Sequence, residues 1–164
     1  MSRLGENEGL LVKMADIGVM QHQGTLRTLL GSCIGVALYE RKLKLSGLAH
    51  IVMPDSLGRN QSPGKYADTA IPETIRQMSI LARGAKLSLT AKIAGGANMF
   101  LHVSPNNVNT IGEQNILAVE KALGMDQIPI LSRHIGGAFG RRMVVDVETG
   151  LVQIHVVGQS MVQI

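Results

Sequence analysis

The apolar positions in the first third of the chain fall into short, partly alternating runs. They lie at residues 10–14, 25–30, 34–39 and 43–53. Alternation with a period of two is typical of half-buried strands, so these runs predict four strands. Residues 40–42 are short enough to connect the last two as a hairpin.

The pattern then changes to apolar spacings of three and four, which predict an amphipathic helix. We expect this helix to start near Asp68 or Thr69 and to stop at Gly84. Pro72 must lie in its first turns, where amide hydrogens have no helical partner in any case.

A second helix is predicted over residues 111–123. Thr110 and Glu113 have the spacing of a capping box, and Gly124 stands where a C′ glycine is expected. Further strands are predicted at residues 87–94, 128–135, 141–147 and 151–157, with a tight hairpin turn at residues 148–150.

The predicted strands and the two main helices do not follow a strict β-α-β alternation. This order favours an α+β domain in layers, with mostly antiparallel strands, over a doubly wound parallel sheet. A length of 164 residues predicts one domain spanning residues 1–164.

Composition narrows the function classes. Apolar residues make up 45% and charged residues 17%, which indicates a globular chain. The net charge of +4 is mild, no Lys/Arg-rich run occurs, and two Phe, two Tyr and no Trp leave few stacking platforms. We therefore expect no nucleic-acid binding.

The same composition bears on location and metal content. The chain has no run of about 20 apolar residues, so no membrane insertion is predicted. Residues 1–9 carry Glu6 and Glu8 and lack an apolar signal core, so we expect a cytoplasmic protein. A single cysteine excludes an internal disulfide and a multi-cysteine zinc site, and no metal site is predicted.

That cysteine, Cys33, lies at the junction between two predicted strands, with Gly31 and Gly35 on either side. Glycines allow a sharp turn and a close approach of substrate, so a nucleophile here can face a cleft with backbone amides around it. Gly31 and the adjacent Ser32 are therefore candidates for substrate or partner binding. The alternative is that Cys33 is an ordinary buried small apolar residue.

His50 follows seventeen residues later inside an otherwise apolar strand. If the two strands pair, His50 and Cys33 can meet near the strand ends, and histidine is the usual base that activates a thiol. The alternative is a core histidine bonded to a backbone carbonyl. Thr25, Thr28 or Ser32 could orient the imidazole as a third group.

Phe100 follows Gly95 and Gly96 on a predicted loop. An exposed ring beside a cleft would anchor a protein partner. Packing beneath its own loop is the alternative.

Several separated motifs resemble one family, the chemoreceptor glutamine deamidases called CheD. They are GSCIGV at residues 31–36, AHIVMPDS at 49–56, PGKYAD at 63–68, AKIAGGANMF at 91–100 and IGEQN at 111–115, followed by glycine motifs at 136–141 and 148–150. The resemblance covers residues 10–157 in the right order, and no single motif would suffice.

This resemblance implies a Cys/His-dependent hydrolase that converts glutamine side chains of methyl-accepting chemotaxis receptors to glutamate and releases ammonia. The family nucleophile falls on Cys33 and the base on His50. The family threonine falls on Thr28, with Thr25 as second choice. No metal or organic cofactor is implied.

The resemblance also implies a layered α/β sandwich like the catalytic domain of the cytotoxic necrotizing factor toxins. The implied partners are the cytoplasmic helices of the receptors and a CheC-type phosphatase. An alternative function is a binding module that stimulates such a phosphatase, for which Phe100 would matter more than Cys33. A third is transglutaminase chemistry at the same Cys/His pair.

Overall fold

A computed structural model describes residues 9–99 and 109–164 of the chain. This part contains ten strands and two long helices. The strands are β1 (Leu10–Leu11), β2 (Ile17–Gln21), β3 (Thr25–Leu30), β4 (Ile34–Glu40), β5 (Leu45–Ile51), β6 (Thr90–Gly95), β7 (Ile130–Ile135), β8 (Arg141–Asp146), β9 (Val152–His155) and β10 (Val162–Gln163). The helices are α1 (Ala67–Leu81), which follows a short 3-10 turn at Pro63–Lys65, and α2 (Ile111–Met125).

The strands form two five-stranded sheets. Sheet 1 has the order β1-β3-β8-β9-β10, and sheet 2 has the order β2-β5-β4-β6-β7. Among the described strands, only β1–β3 and β6–β7 pair in parallel, and the other six pairings are antiparallel. The predicted α+β class with mostly antiparallel strands is confirmed.

Sheet 2 is the middle of three layers, because it buries both of its faces. Ile34, Val36 and Leu38 of β4 pack with apolar residues of α1 and α2. Ala37, on the opposite face of the same strand, packs with Met143 and other residues of sheet 1. Since successive strand residues alternate between faces, the register of β4 and β5 decides which side chains enter the space between the sheets.

Both helices differ slightly from their predicted bounds. Helix α1 begins at Ala67 and ends at Leu81, because Arg83 and Gly84 have left-handed backbone angles that reverse the chain. The capping box at the start of α2 is confirmed. The prediction that Gly124 follows the helix is wrong: α2 continues to Met125, and Gln127, with φ +55°, is the residue that takes the left-handed conformation.

The sequence pattern missed two strands and overextended others. Strands β2 and β10 were not predicted, and the predicted run 10–14 pairs only at Leu10–Leu11. Ala15, with φ +67°, turns the chain between β1 and β2. Strand β6 starts at Thr90 rather than at residue 87. None of the helices in the described ranges is long and apolar enough to cross a membrane.

Candidate active site

The pairing of β4 with β5 brings the thiol and the imidazole to one place. Gly35 lies opposite His50, and Cys33 precedes Gly35 by two residues. Cys33 and His50 are therefore diagonal neighbours on one face, a relation in which Cβ atoms are usually about 7–8 Å apart or less. Cys33 packs with Ala37 and Leu48 in the core between the sheets. Since Gly35 has no side chain, the side chains of Met143 and Leu30 pack closely against the position opposite the imidazole.

Thr28 of β3 contacts His50 from the facing sheet. Its hydroxyl oxygen lies 2.7 Å from Nδ1 of His50 and 2.6 Å from the carbonyl oxygen of Val12. A carbonyl can only accept, so the single hydroxyl hydrogen goes to Val12. Thr28 must then accept from Nδ1–H, and in the neutral imidazole Nε2 is the nitrogen with a free lone pair.

Nε2 of His50 is buried and has no hydrogen-bond partner among the described residues. An unpaired polar atom in a core costs stability, and a functional role is one reason for a protein to retain it. The imidazole therefore presents an unpaired acceptor nitrogen on the same side of the sheet as the Cys33 thiol.

The two threonines weighed from the sequence lie on opposite faces of β3. Leu26, Thr28 and Leu30 are buried toward the other sheet, whereas Thr25 alternates with them and is half-buried on the outer face. The structure thus brings Thr28, and not Thr25, to the imidazole. Ser32 lies in the turn, where its carbonyl is engaged by Asn115.

Burial sets the charge state of the pair. It raises the pKa of the Cys33 thiol, an effect partly opposed by the cysteine's own backbone N–H. It lowers the pKa of His50, against weaker opposing effects of the Val12 backbone carbonyl and then of the Asp16 carboxylate. Both changes favour the uncharged forms, so the resting site holds a thiol and a neutral imidazole.

The turn that carries Cys33 is held through three successive carbonyls, those of residues 31–33. The bonds are Ala97 N to Gly31 O at 2.9 Å, Asn115 Nδ2 to Ser32 O at 3.1 Å, and Gly96 N to Cys33 O at 2.9 Å. With its carbonyls engaged on the side of β6 and α2, the turn is rigid where a nucleophile must be placed accurately.

Asn115 was missed as a site residue by sequence reasoning. It stood inside the IGEQN motif, but a polar residue on a helix is ordinary on a solvent face. Only the packing of α2 shows that Asn115 is fully buried. The signal available in the sequence was its spacing, four residues before Val119 and eight before Leu123, which places Asn115 on the apolar face of the helix.

A groove of about 680 Å³ opens beside this turn, and Gly31 forms part of its wall. Its lining is mainly apolar and also includes Arg141, Arg142 and His155. Four large lining side chains are well exposed, namely Leu29 (67%), Met99 (54%), Phe139 (64%) and Val157 (98%). Phe100, predicted as a docking anchor, lies outside the described residues. Exposed apolar clusters of this kind mark sites that bind another molecule.

One wall of the groove is fixed by Arg141. Its guanidinium donates to the carbonyl of His134 at 2.7 Å, to that of Phe139 at 3.2 Å, and to that of Gly136. These bonds hold the turn between β7 and β8 in one conformation, which keeps the Phe139 ring at the groove.

A buried thiol and a neutral imidazole on neighbouring strand ends, with a rigid turn and an adjoining groove, are the parts that thiol-dependent hydrolysis uses. The comparisons with known proteins agree with this class. Residues 52–156 match the family described as CheD chemotactic sensory transduction.

The chain is also similar over nearly its whole length to curated relatives. It is 43% identical over 163 residues to a "Probable chemoreceptor glutamine deamidase CheD" of Clostridium botulinum (strain Alaska E43), covering 97% of this chain and 99% of the relative. It is 43% identical over 159 residues to "Chemoreceptor glutamine deamidase CheD" of Halalkalibacterium halodurans, covering 94% and 97%. A "Probable chemoreceptor glutamine deamidase CheD" of Methanococcus maripaludis is 42% identical over 147 residues, covering 89% and 94%.

The chain belongs to the CheD family. The matched family segment begins at residue 52, after Thr28, Cys33 and His50. The roles of these three residues therefore rest on their own geometry.

Proposed function

We propose that this protein is a chemoreceptor glutamine deamidase, which hydrolyses the side-chain amides of selected receptor glutamines to glutamate and releases ammonia. Family membership and the names of the relatives support this substrate class. The observation that carries the chemistry is the bond between Thr28 and Nδ1 of His50, since it leaves Nε2 free to act as a base.

In the first half of the proposed reaction, Nε2 of His50 takes the proton of the Cys33 thiol. The thiolate then forms a bond to the amide carbon, and the carbonyl electron pair moves onto oxygen. When this pair returns, the carbon–nitrogen bond breaks, and the imidazolium gives its proton to the departing ammonia. Thr28 keeps the ring in the required orientation throughout.

The second half consumes water. Neutral His50 takes a proton from water as the hydroxide adds to the thioester carbon, and the carbon–sulfur bond then breaks. The imidazolium returns the proton to the Cys33 sulfur. The sum is one amide and one water converted to one carboxylic acid and one ammonia.

Both halves pass through an oxyanion, which backbone N–H groups at the Cys33 turn would stabilise. The backbone N–H of Cys33 belongs to the same residue as the attacking sulfur. A donor in this position is close to any carbon that the sulfur attacks. Loss of one such donor typically costs about 3–4 kcal/mol of transition-state stabilisation.

We further propose that the groove holds the receptor segment around the target glutamine. Its apolar side chains suit the apolar stripe of a helix, and Arg142 and His155 suit acidic residues beside that stripe. Gly31 and Ser32 would contact the substrate at the nucleophile. Since the receptor helices implied as substrates are cytoplasmic, the enzyme would act there.

The layered arrangement also supports the proposed likeness to the catalytic domain of the cytotoxic necrotizing factor toxins. The competing function is a binding module that docks receptors or stimulates a CheC-type phosphatase. It predicts that Cys33→Ala leaves the biological effect intact, whereas Phe100→Glu removes it.

The test is peptide mapping and intact mass of a chemoreceptor cytoplasmic fragment incubated with wild type and with Cys33→Ala, together with an ammonia assay. Deamidation replaces NH₂ by OH at defined glutamines, and we expect it with wild type alone. Deamidation by Cys33→Ala would refute the thiol mechanism. Binding without deamidation by wild type would favour the binding module, and incorporation of an added amine would indicate transglutaminase chemistry.

A further inference from the structure

Asn115 is a fully buried polar side chain in the second turn of α2, and the proposed reaction gives it no role. Both hydrogens of its amide nitrogen are used. Nδ2 donates to the carbonyl of Ser32 at 3.1 Å and to that of Val52 at 3.0 Å. Its oxygen Oδ1 is buried with no partner among the described residues. The amide is therefore placed to donate, at the cost of an unpaired acceptor.

The two carbonyls belong to the two strand ends of the site. Ser32 directly precedes Cys33, and Val52 follows His50 by two residues. The pairing of β4 with β5 ends at Ile34 and Ile51, so Asn115 links the two chain segments just beyond the end of their own ladder. One helix side chain thus fixes both the nucleophile turn and the end of the base strand.

The bond to Ser32 also fixes the direction of an N–H group. The Ser32 carbonyl and the Cys33 N–H belong to one peptide unit, and no cis peptide is present in the described residues. In a planar trans peptide these two groups point in opposite directions. Because Asn115 draws the carbonyl toward α2, the Cys33 N–H must point away from α2, toward the side on which the thiol lies.

We propose that Asn115 is a positioning residue that holds the Ser32–Cys33 peptide in the orientation in which the Cys33 N–H stabilises the oxyanion. This inference rests on the proposed deamidase function. Without the amide, the peptide can rotate so that the carbonyl, rather than the N–H, faces the reacting carbonyl oxygen. The thiol and the imidazole would remain in place, because the Gly31 and Cys33 carbonyls stay bonded to Ala97 and Gly96, and Thr28 stays bonded to His50.

The experiment distinguishes the orientation of the Ser32–Cys33 peptide from the placement of the thiol and imidazole by comparing two reactions of Cys33. Deamidation passes through an oxyanion, whereas alkylation by iodoacetamide displaces iodide directly and forms none. In Asn115→Leu, which has similar volume and no donor, we expect kcat for deamidation to fall about 100-fold with KM unchanged. The alkylation rate should stay within about twofold of wild type, since the thiol and its base are unaltered.

Thr74→Val is the matched control. Thr74 is equally buried on α1, and its hydroxyl donates to its own helix, at Ala70 O (2.7 Å). Both reactions should stay at the wild-type rate in this variant. If Asn115→Leu keeps its deamidation rate, or if deamidation and alkylation fall together, the inference is wrong. If wild type itself releases no ammonia from a receptor that it binds, the proposed function fails and this inference with it.

Asn115→Asp provides a second test should the leucine variant not fold. A carboxylate cannot donate to Ser32 or Val52, but a protonated carboxyl can donate to one of them. Deamidation relative to wild type should therefore recover as pH falls from 7 to 5. A ratio independent of pH would contradict a donating role.

Discussion

Replacing Gly95 by alanine should displace the nucleophile without removing any polar side chain of the site. Gly95 ends β6 with φ +110°, and its Cα faces the backbone of Cys33. An added Cβ would lie 3.2 Å from the Cys33 carbonyl carbon and 3.4 Å from Cα of Ile34, and its distance to the Cys33 oxygen would be well below 3.0 Å. These atoms are all backbone, so the clash cannot be relieved by rotation of a side chain.

The magnitude has two parts. A non-glycine residue at such a φ costs about 1–3 kcal/mol. Overpacking against fixed atoms typically adds about 1–3 kcal/mol. Relief of the clash requires the Cys33 turn to shift by about 1 Å, a misplacement that can lower a catalytic rate about 100-fold.

Gly84→Ala separates these contributions. Gly84 also has a positive φ, +78°, but a Cβ there meets nothing within 4 Å. It should show the backbone cost alone, with kcat and Cys33 alkylation unchanged. Urea unfolding, iodoacetamide alkylation and ammonia release measured on both variants provide the comparison. If Gly95→Ala matches Gly84→Ala in all three, the contact with Cys33 does not position the nucleophile.

Four further predictions address the Cys33–His50 pair and the groove. Thr28→Val should lower kcat about 10–100-fold by releasing the imidazole, which is a part of the 10²–10⁴-fold that general bases contribute. Thr25→Val should leave kcat unchanged, and equal effects of the two changes would refute the assignment of Thr28 as the residue that orients His50. Because burial raises the pKa of the Cys33 thiol, its alkylation should have a higher pH midpoint in the native than in the urea-unfolded protein. Because burial lowers the pKa of His50, activity should fall with decreasing pH only below the ordinary histidine value of about 6.5. Phe139→Ser should raise KM for a receptor fragment severalfold with little change in kcat; an unchanged KM would show that the substrate lies elsewhere.

Local sequence signals predicted the parts of the fold that depend on local chemistry. The strands at residues 25–30 and 34–39 follow from apolar patterning, and the start of α2 follows from the pairing of Thr110 with Glu113. Strand β10 has only two residues and is exposed, so it carries no apolar pattern. Its existence depends on β9, which lies beside it.

In the candidate site, too, some features follow from the local sequence and others depend on how the elements pack. Period-two alternation implies that Thr25 and Thr28 face opposite ways, but not which face meets His50. That depends on how the two sheets stack, which is a property of the whole core. The carbonyls that accept hydrogen bonds from Asn115 likewise depend on where α2 rests against sheet 2. Residue types could be named from the sequence, whereas their partners could not.

The bond between Thr28 and His50 spans the two layers of the sandwich, since β3 belongs to sheet 1 and β5 to sheet 2. The length of this bond therefore depends on how closely the two sheets are packed together. Any change that widens the gap between the sheets, even far from Cys33, lengthens this bond and releases the base. Activity should then be lost at a lower denaturant concentration than secondary structure. A molecule whose sheets have partly separated would be inactive, and would not deamidate the many other glutamines around it.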